Sequence, residues 1–159
     1  MVAVTLMTLS ELETAVWQAL ETGQIGVPLS LKVWLHRPEG DLEVAENLAH
    51  LIERFVPMLR DVPSMLLATG ADDGGYLQIL LTGRVGRTAL FIGSTAHKGG
   101  PHVRLLLVGN HGILELSGDS PWTEERAVAS PHADAWVAAI ESSRRANECV
   151  NVQELLPGE

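Results

Sequence analysis

The chain has a single cysteine, Cys149, in 159 residues. One thiol excludes an internal disulfide and any zinc site built on paired cysteines. Basic residues are scarce too: eleven Lys and Arg stand against twenty Asp and Glu, a formal charge of −9. No run of Lys or Arg offsets that balance, so nucleic-acid phosphates and anionic lipid are repelled, and no nucleic-acid partner is expected. There is no apolar run long enough to cross a bilayer. The first basic residue is Lys32, too late for the n-region of a signal peptide. The expectation is no membrane association and a cytoplasmic location. Also missing is any G-x-G-x-x-G that follows a strand. The glycine groups DDGG and HKGG fall in turns, where they cannot open a helix onto a pyrophosphate. No cofactor is expected to bind.

What is present describes a folded domain. Hydrophobic residues make up 46% and charged residues 19%, a balance of globular proteins rather than disordered ones. The length predicts one domain over residues 1–159, large enough for a true core. Ser10 and Glu13 form an S-x-x-E box, and Leu12, Val16, Ala19 and Leu20 follow at helical spacing. Gly23 supplies a stop, so a helix is predicted over 10–22. PLSLKVWLH, 28–36, alternates as a strand: Leu29, Leu31, Val33 and Leu35 point one way, Ser30, Lys32, Trp34 and His36 the other.

A second helix is predicted from Leu42 to about Arg60. Leu48, Leu51, Ile52, Phe55 and Leu59 make its apolar stripe, with Glu43, Glu46, His50 and Glu53 on the polar side. Pro57 lacks an N–H and predicts a kink or an end there. From Ser64 the period becomes two. Five short apolar segments are separated mostly by turns such as DDGG, GRVG and GNHG, and the last two turns are tight enough for antiparallel hairpins. A last helix over 131–146 carries Ala135, Ala139 and Ile140 inside, and the tail beyond Cys149 reads as irregular. The order gives an α+β fold: a mostly antiparallel sheet of about six strands, helices on one face, the other face open.

Two segments resemble a known family. ALETGQIGVPLSLKVWL is similar to the opening of the C-terminal domain of the glucose–fructose oxidoreductase and inositol dehydrogenase family, where a helix ends in Gly-x-Ile-Gly before the first sheet strand. VRLLLVGNHGILELSG resembles that family's late hairpin. The resemblance spans roughly residues 9–146. It implies a sheet domain that supplies half of a substrate site and an oligomer interface. The Rossmann half and the family's Glu-Lys-Pro stretch have no counterpart here. The family's substrate-side helix carries Asp-x-x-x-His, with the His as acid–base catalyst; Glu46 and His50 fall at those positions, with Glu for Asp and Leu48 where the family has Gly.

The candidate residues follow. Glu46 and His50 stand four apart on one helix face and are candidates for catalysis or ligand binding, beside the plain reading of a solvated face. They offer a metal only two ligands where catalytic zinc takes three. His36 adds a third only if its strand runs alongside, and no metal site is expected. His97 and Lys98, with His102 beyond a Gly-Gly-Pro turn, suit an anion or form an ordinary loop, and His111 is a hairpin-tip residue. Lys32, Trp34, Tyr76 and Gln78 are the candidate interface on the open face, where mixed aromatic and polar character favours association. The expected partner is a second copy, as dimer or tetramer. Two functions are expected: a non-catalytic, self-associating module that binds a small molecule or partner, or the substrate half of a split sugar or cyclitol dehydrogenase completed by a separate Rossmann subunit.

Overall fold

The computed structural model describes residues 8–36, 44–70, 75–95, 102–118 and 132–153. Helix α1 runs Leu9–Glu21, strand β1 Pro28–His36, and helix α2 Val44–Phe55, which continues into a 3-10 turn at Val56–Leu59. Strands β2 (Pro63–Gly70), β3 (Tyr76–Gly83), β4 (Thr88–Ser94), β5 (His102–Gly109) and β6 (Ile113–Gly118) follow, then helix α3 (Ala133–Ala146) and the two-residue β7 (Val150–Asn151). The strands form one sheet in the order β6-β5-β1-β4-β3-β2-β7. Only β1 and β4 pair in parallel; the other neighbours are antiparallel. The three helices cover one face, as expected.

Both GRVG and GNHG join antiparallel partners, β3 to β4 and β5 to β6. Of DDGG, residues 72–74 lie outside the described residues. Pro57 behaves as its missing N–H requires: the α-helix ends at Phe55 and the chain tightens into 3-10 geometry.

Several expectations need correction. The cap of α1 is Thr8, whose hydroxyl accepts from the Glu11 N–H at 3.2 Å, and not Ser10. Glu13 instead pairs with Arg54 of α2 at 3.3 Å. Leu29 does not point inward. A bulge between Pro28 and Ser30 turns it to solvent, while Leu31, Val33 and Leu35 remain buried. In α3 the core positions are Ala133, Trp136, Ala139 and Ile140, and Ala135 is half-buried. The tail is not wholly irregular: β7 pairs with Met65 and Leu66 of β2, giving seven strands.

The core lies between the helices and the covered face. Leu31, Val33, Ile79, Phe91, Leu105 and Leu107 meet Leu12, Leu48, Ile52, Phe55 and Trp136, each of them 0–1% exposed. Gly93 lets α2 approach β4: a Cβ there would lie 2.4 Å from Val44 Cγ1 and 3.2 Å from Leu48 Cδ1. At the β2 edge a side chain stands in for a strand. The Ala68 N–H donates to Ser143 Oγ at 2.9 Å, and that hydroxyl donates to the Glu148 carbonyl at 2.7 Å.

Candidate functional site

Helix α2 buries Ala45, Leu48, Leu51, Ile52 and Phe55, so the 3.6-residue repeat leaves Glu46, His50 and Glu53 on one outer stripe. All three are half-buried. No hydrogen bond or ion pair joins Glu46 to His50 among the described residues. Leu48, at the position where the resembled family has Gly, points away from this stripe, into the core against Gly93.

The stripe gains a member that no local spacing announces. His132, at the start of α3, donates its backbone N–H to the Glu53 carboxylate. Burial pushes the Glu53 pKa above its usual 4.5, while the positive charge available on His132 and His50 pulls the other way. Glu53 Oε1 is buried with no hydrogen-bond partner among the described residues. Glu46, His50, Glu53 and His132 thus bring carboxylates and imidazoles to the α2–α3 side of the fold. Among the described residues no group of three His, Cys, Asp or Glu could hold a metal. His36 does not join the stripe; its ring stacks on His102 of the neighbouring strand, centroids 4.6 Å apart. His97 and Lys98 lie outside the described residues.

The second candidate region is the open sheet face. The register aligns Leu106, Lys32, Leu90, Leu80 and Leu67 in one row across five strands, with Glu115 at its edge. The next row runs Ser117, Arg104, Trp34, Ile92, Gln78 and Thr69. Lys32 and Trp34 fall on this face, and the register brings Tyr76 and Gln78 to the same side. The Arg104 guanidinium sits 5.2 Å from the Trp34 ring centroid and pairs with Glu115. The Tyr76 hydroxyl donates to Gln78 Oε1 at 3.0 Å. Leu80 and Met65, on this face, are 38% and 36% exposed. Sequence reasoning missed this leucine row because β3 and β5 carry apolar residues in both phases of the alternation, so neither phase marks the outward set.

This architecture defines a class: an open-faced α+β sheet domain with one helix layer and a single parallel strand pair. Solved structures then show where that fold occurs. A putative myo-inositol dehydrogenase from Sinorhizobium meliloti 1021 matches with a TM-score of 0.68 at 13% identity, covering 88% of this chain and 61% of that one. The myo-inositol dehydrogenase of Lactobacillus casei, solved with NAD(H) and myo-inositol, matches at 0.72 and 17% identity, covering 92% and 60%. The scyllo-inositol dehydrogenase of the same organism, with NAD(H) and scyllo-inositol, matches at 0.65 and 14%, covering 88% and 61%. The chain therefore spans about six tenths of the length of these enzymes, mainly their C-terminal sheet region. It carries the sheet-domain fold of the glucose–fructose oxidoreductase and inositol dehydrogenase homologues, as the two sequence segments implied. The sequence matches no protein-family model and no curated protein. The sheet also lacks the parallel arrangement of a dinucleotide-binding domain: of its neighbouring strand pairs, only β1–β4 is parallel.

Proposed function

We propose that this chain is a self-associating sheet domain that takes a small molecule or a protein partner and does not transfer hydride by itself. The observation that carries the reading is the open face, where four leucines share a row with one lysine. Contiguous apolar surface of this kind is covered by a partner in most soluble proteins, and a second copy brings the same leucines. Sedimentation velocity tests it. The parent chain is expected to sediment as a dimer or tetramer and Leu80→Asp as a folded monomer, because Leu80 is already partly exposed and its loss spares the core. A parent chain that stays monomeric at high concentration, or nicotinamide-dependent turnover by the chain alone, sinks the reading. The cytoplasm is the location that accompanies it.

A second reading is favoured by the Glu46, His50, Glu53 and His132 cluster. Here the chain supplies the substrate half of a split dehydrogenase. A Rossmann-type subunit brings the nicotinamide, and a cyclitol or sugar is the substrate, by analogy with the inositol dehydrogenases that share the fold. His50 then moves the hydroxyl proton, with the carboxylates of the stripe setting its charge. The expected result is that His50→Ala abolishes turnover of the reconstituted pair while leaving its assembly intact. Unchanged turnover removes His50 from the chemistry.

A further inference from the structure

At the end of α2 far from Glu46, the chain turns through Arg60 with φ +54°. Fourteen residues separate the two, roughly 20 Å of helical path. A left-handed backbone is disfavoured for a side chain such as Arg, and glycine or asparagine would adopt it at little cost. Strain held at a non-glycine residue points to a use for its side chain.

Arg60 lines an open depression of about 410 Å³ together with Arg87, Asn110, His111, Gly26 and Pro28. Four connections converge there: α1 to β1, the 3-10 turn to β2, β3 to β4, and β5 to β6. Arg87 is fixed in place, its guanidinium donating to the carbonyls of Leu59 and Arg60. The Asn110 amide is oriented as well. Its Oδ1 accepts from the Val27 N–H at 2.7 Å, which leaves its NH₂ as donor. Gly26, at φ +73°, makes that approach possible, since a Cβ would lie 2.1 Å from Asn110 Oδ1. The Arg60 guanidinium and the His111 ring have no hydrogen bond or ion pair among the described residues.

The neighbouring acceptors that the structure describes are hydrogen-bonded to backbone N–H groups and to the Thr22 hydroxyl. Among the described residues no carboxylate lines the depression. The nearby Asp61 carboxylate accepts from the Val85 and Arg87 N–H groups at 3.1–3.2 Å. The last carbonyls of α1 are capped by Thr22, Gly23 and Gln24. In a chain of net charge −9, this leaves two guanidiniums, an amide donor and an imidazole around one hollow.

We propose that this depression binds the phosphate group of a small molecule. Two guanidiniums match a dianion, and Arg forks suit tetrahedral oxygens. The hollow is also within the size range of small-ligand sites. The site is separate from the α2 stripe and from the open face, so it stands or falls independently of the function proposed above.

Titration calorimetry of the full chain with inorganic phosphate, pyrophosphate and citrate tests it. Phosphate or pyrophosphate is expected to bind one to one, more weakly as sodium chloride rises. Arg60→Ala is expected to weaken binding about tenfold or more. Arg60→Gly separates this role from a structural one: it loses the same affinity while its urea midpoint rises, because glycine accepts the left-handed backbone. The proposal is overturned by any of three results. These are no saturable phosphate or pyrophosphate binding at tens of millimolar, Arg60→Ala binding as the parent does, or citrate binding more tightly than both phosphates.

Discussion

Phe91 and Leu90 are neighbours on β4, yet they belong to opposite faces of the same sheet. Phe91 is fully buried beneath the helices, while Leu90 sits half-buried in the open leucine row. On the covered face apolar residues are matched by the stripes of three helices. On the other face, fewer apolar residues stand among Lys32, Arg104 and Glu115, and no helix covers them among the described residues. Burial on the first face is complete within one chain; the second face stays partly exposed. Hydrophobic side chains on a strand therefore meet different surroundings according to the parity of their position, one set packed under helices and one set partly exposed.

The largest expected contrast is between these two neighbours. Phe91→Ala should cost about 3–5 kcal/mol of unfolding free energy through lost burial and a residual cavity. Leu90→Ala should cost about 1 kcal/mol or less when measured on the monomeric Leu80→Asp background. Equal losses in urea titration would abolish the distinction between the faces. A smaller effect is expected where the covered face is tightest. Gly93→Ala places a methyl against Val44 and Leu48 and should cost about 1–3 kcal/mol by overpacking, with the helix-free face unaffected and self-association retained. Separate measurement of melting and sedimentation tests both halves of that statement.

The smallest effect is electrostatic. Burial raises the Glu53 pKa above 4.5, so the folded state holds this proton more tightly than the unfolded chain does. That contribution is complete below the unfolded value and is lost as pH rises through the folded one. Glu53→Gln should therefore melt at a slightly higher temperature than the parent at about pH 8, with the difference closing at about pH 4. A Glu53→Gln variant that melts below the parent at about pH 8, with the gap closing toward acid, would place Glu53 in a favourable ionised state instead.

Much of this was readable before the fold was known. The period switch at Ser64, the two tight turns and the stripe of α2 depend on neighbours in sequence, and the strands, hairpins and helix followed. Phase is harder than period. Thr8 and Ser10 are both chemically suited to cap α1, and repeat spacing alone does not choose between them. The bulge that turns Leu29 outward breaks an alternation whose period is otherwise intact. β7 is only two residues long and carries no period at all. At the candidate site, Glu46 and His50 were visible as a helical pair, whereas the contact of Glu53 with His132 joins segments far apart in the chain. Arg60 and Arg87 meet for the same reason, through turns that only the assembled sheet brings together.

The hydroxyl of Ser143 has a consequence for polymer growth. One outer strand of the sheet, β2, is closed by β7 over Met65 and Leu66 and by Ser143 at the Ala68 N–H. On the outer side of β6, no strand pairs among the described residues. Edge-to-edge addition can propagate indefinitely only if both margins of a sheet accept a newcomer. Here the β2 margin is covered at Met65, Leu66 and Ala68. A strand adding at the β2 margin would first have to displace β7 and the Ser143 hydroxyl.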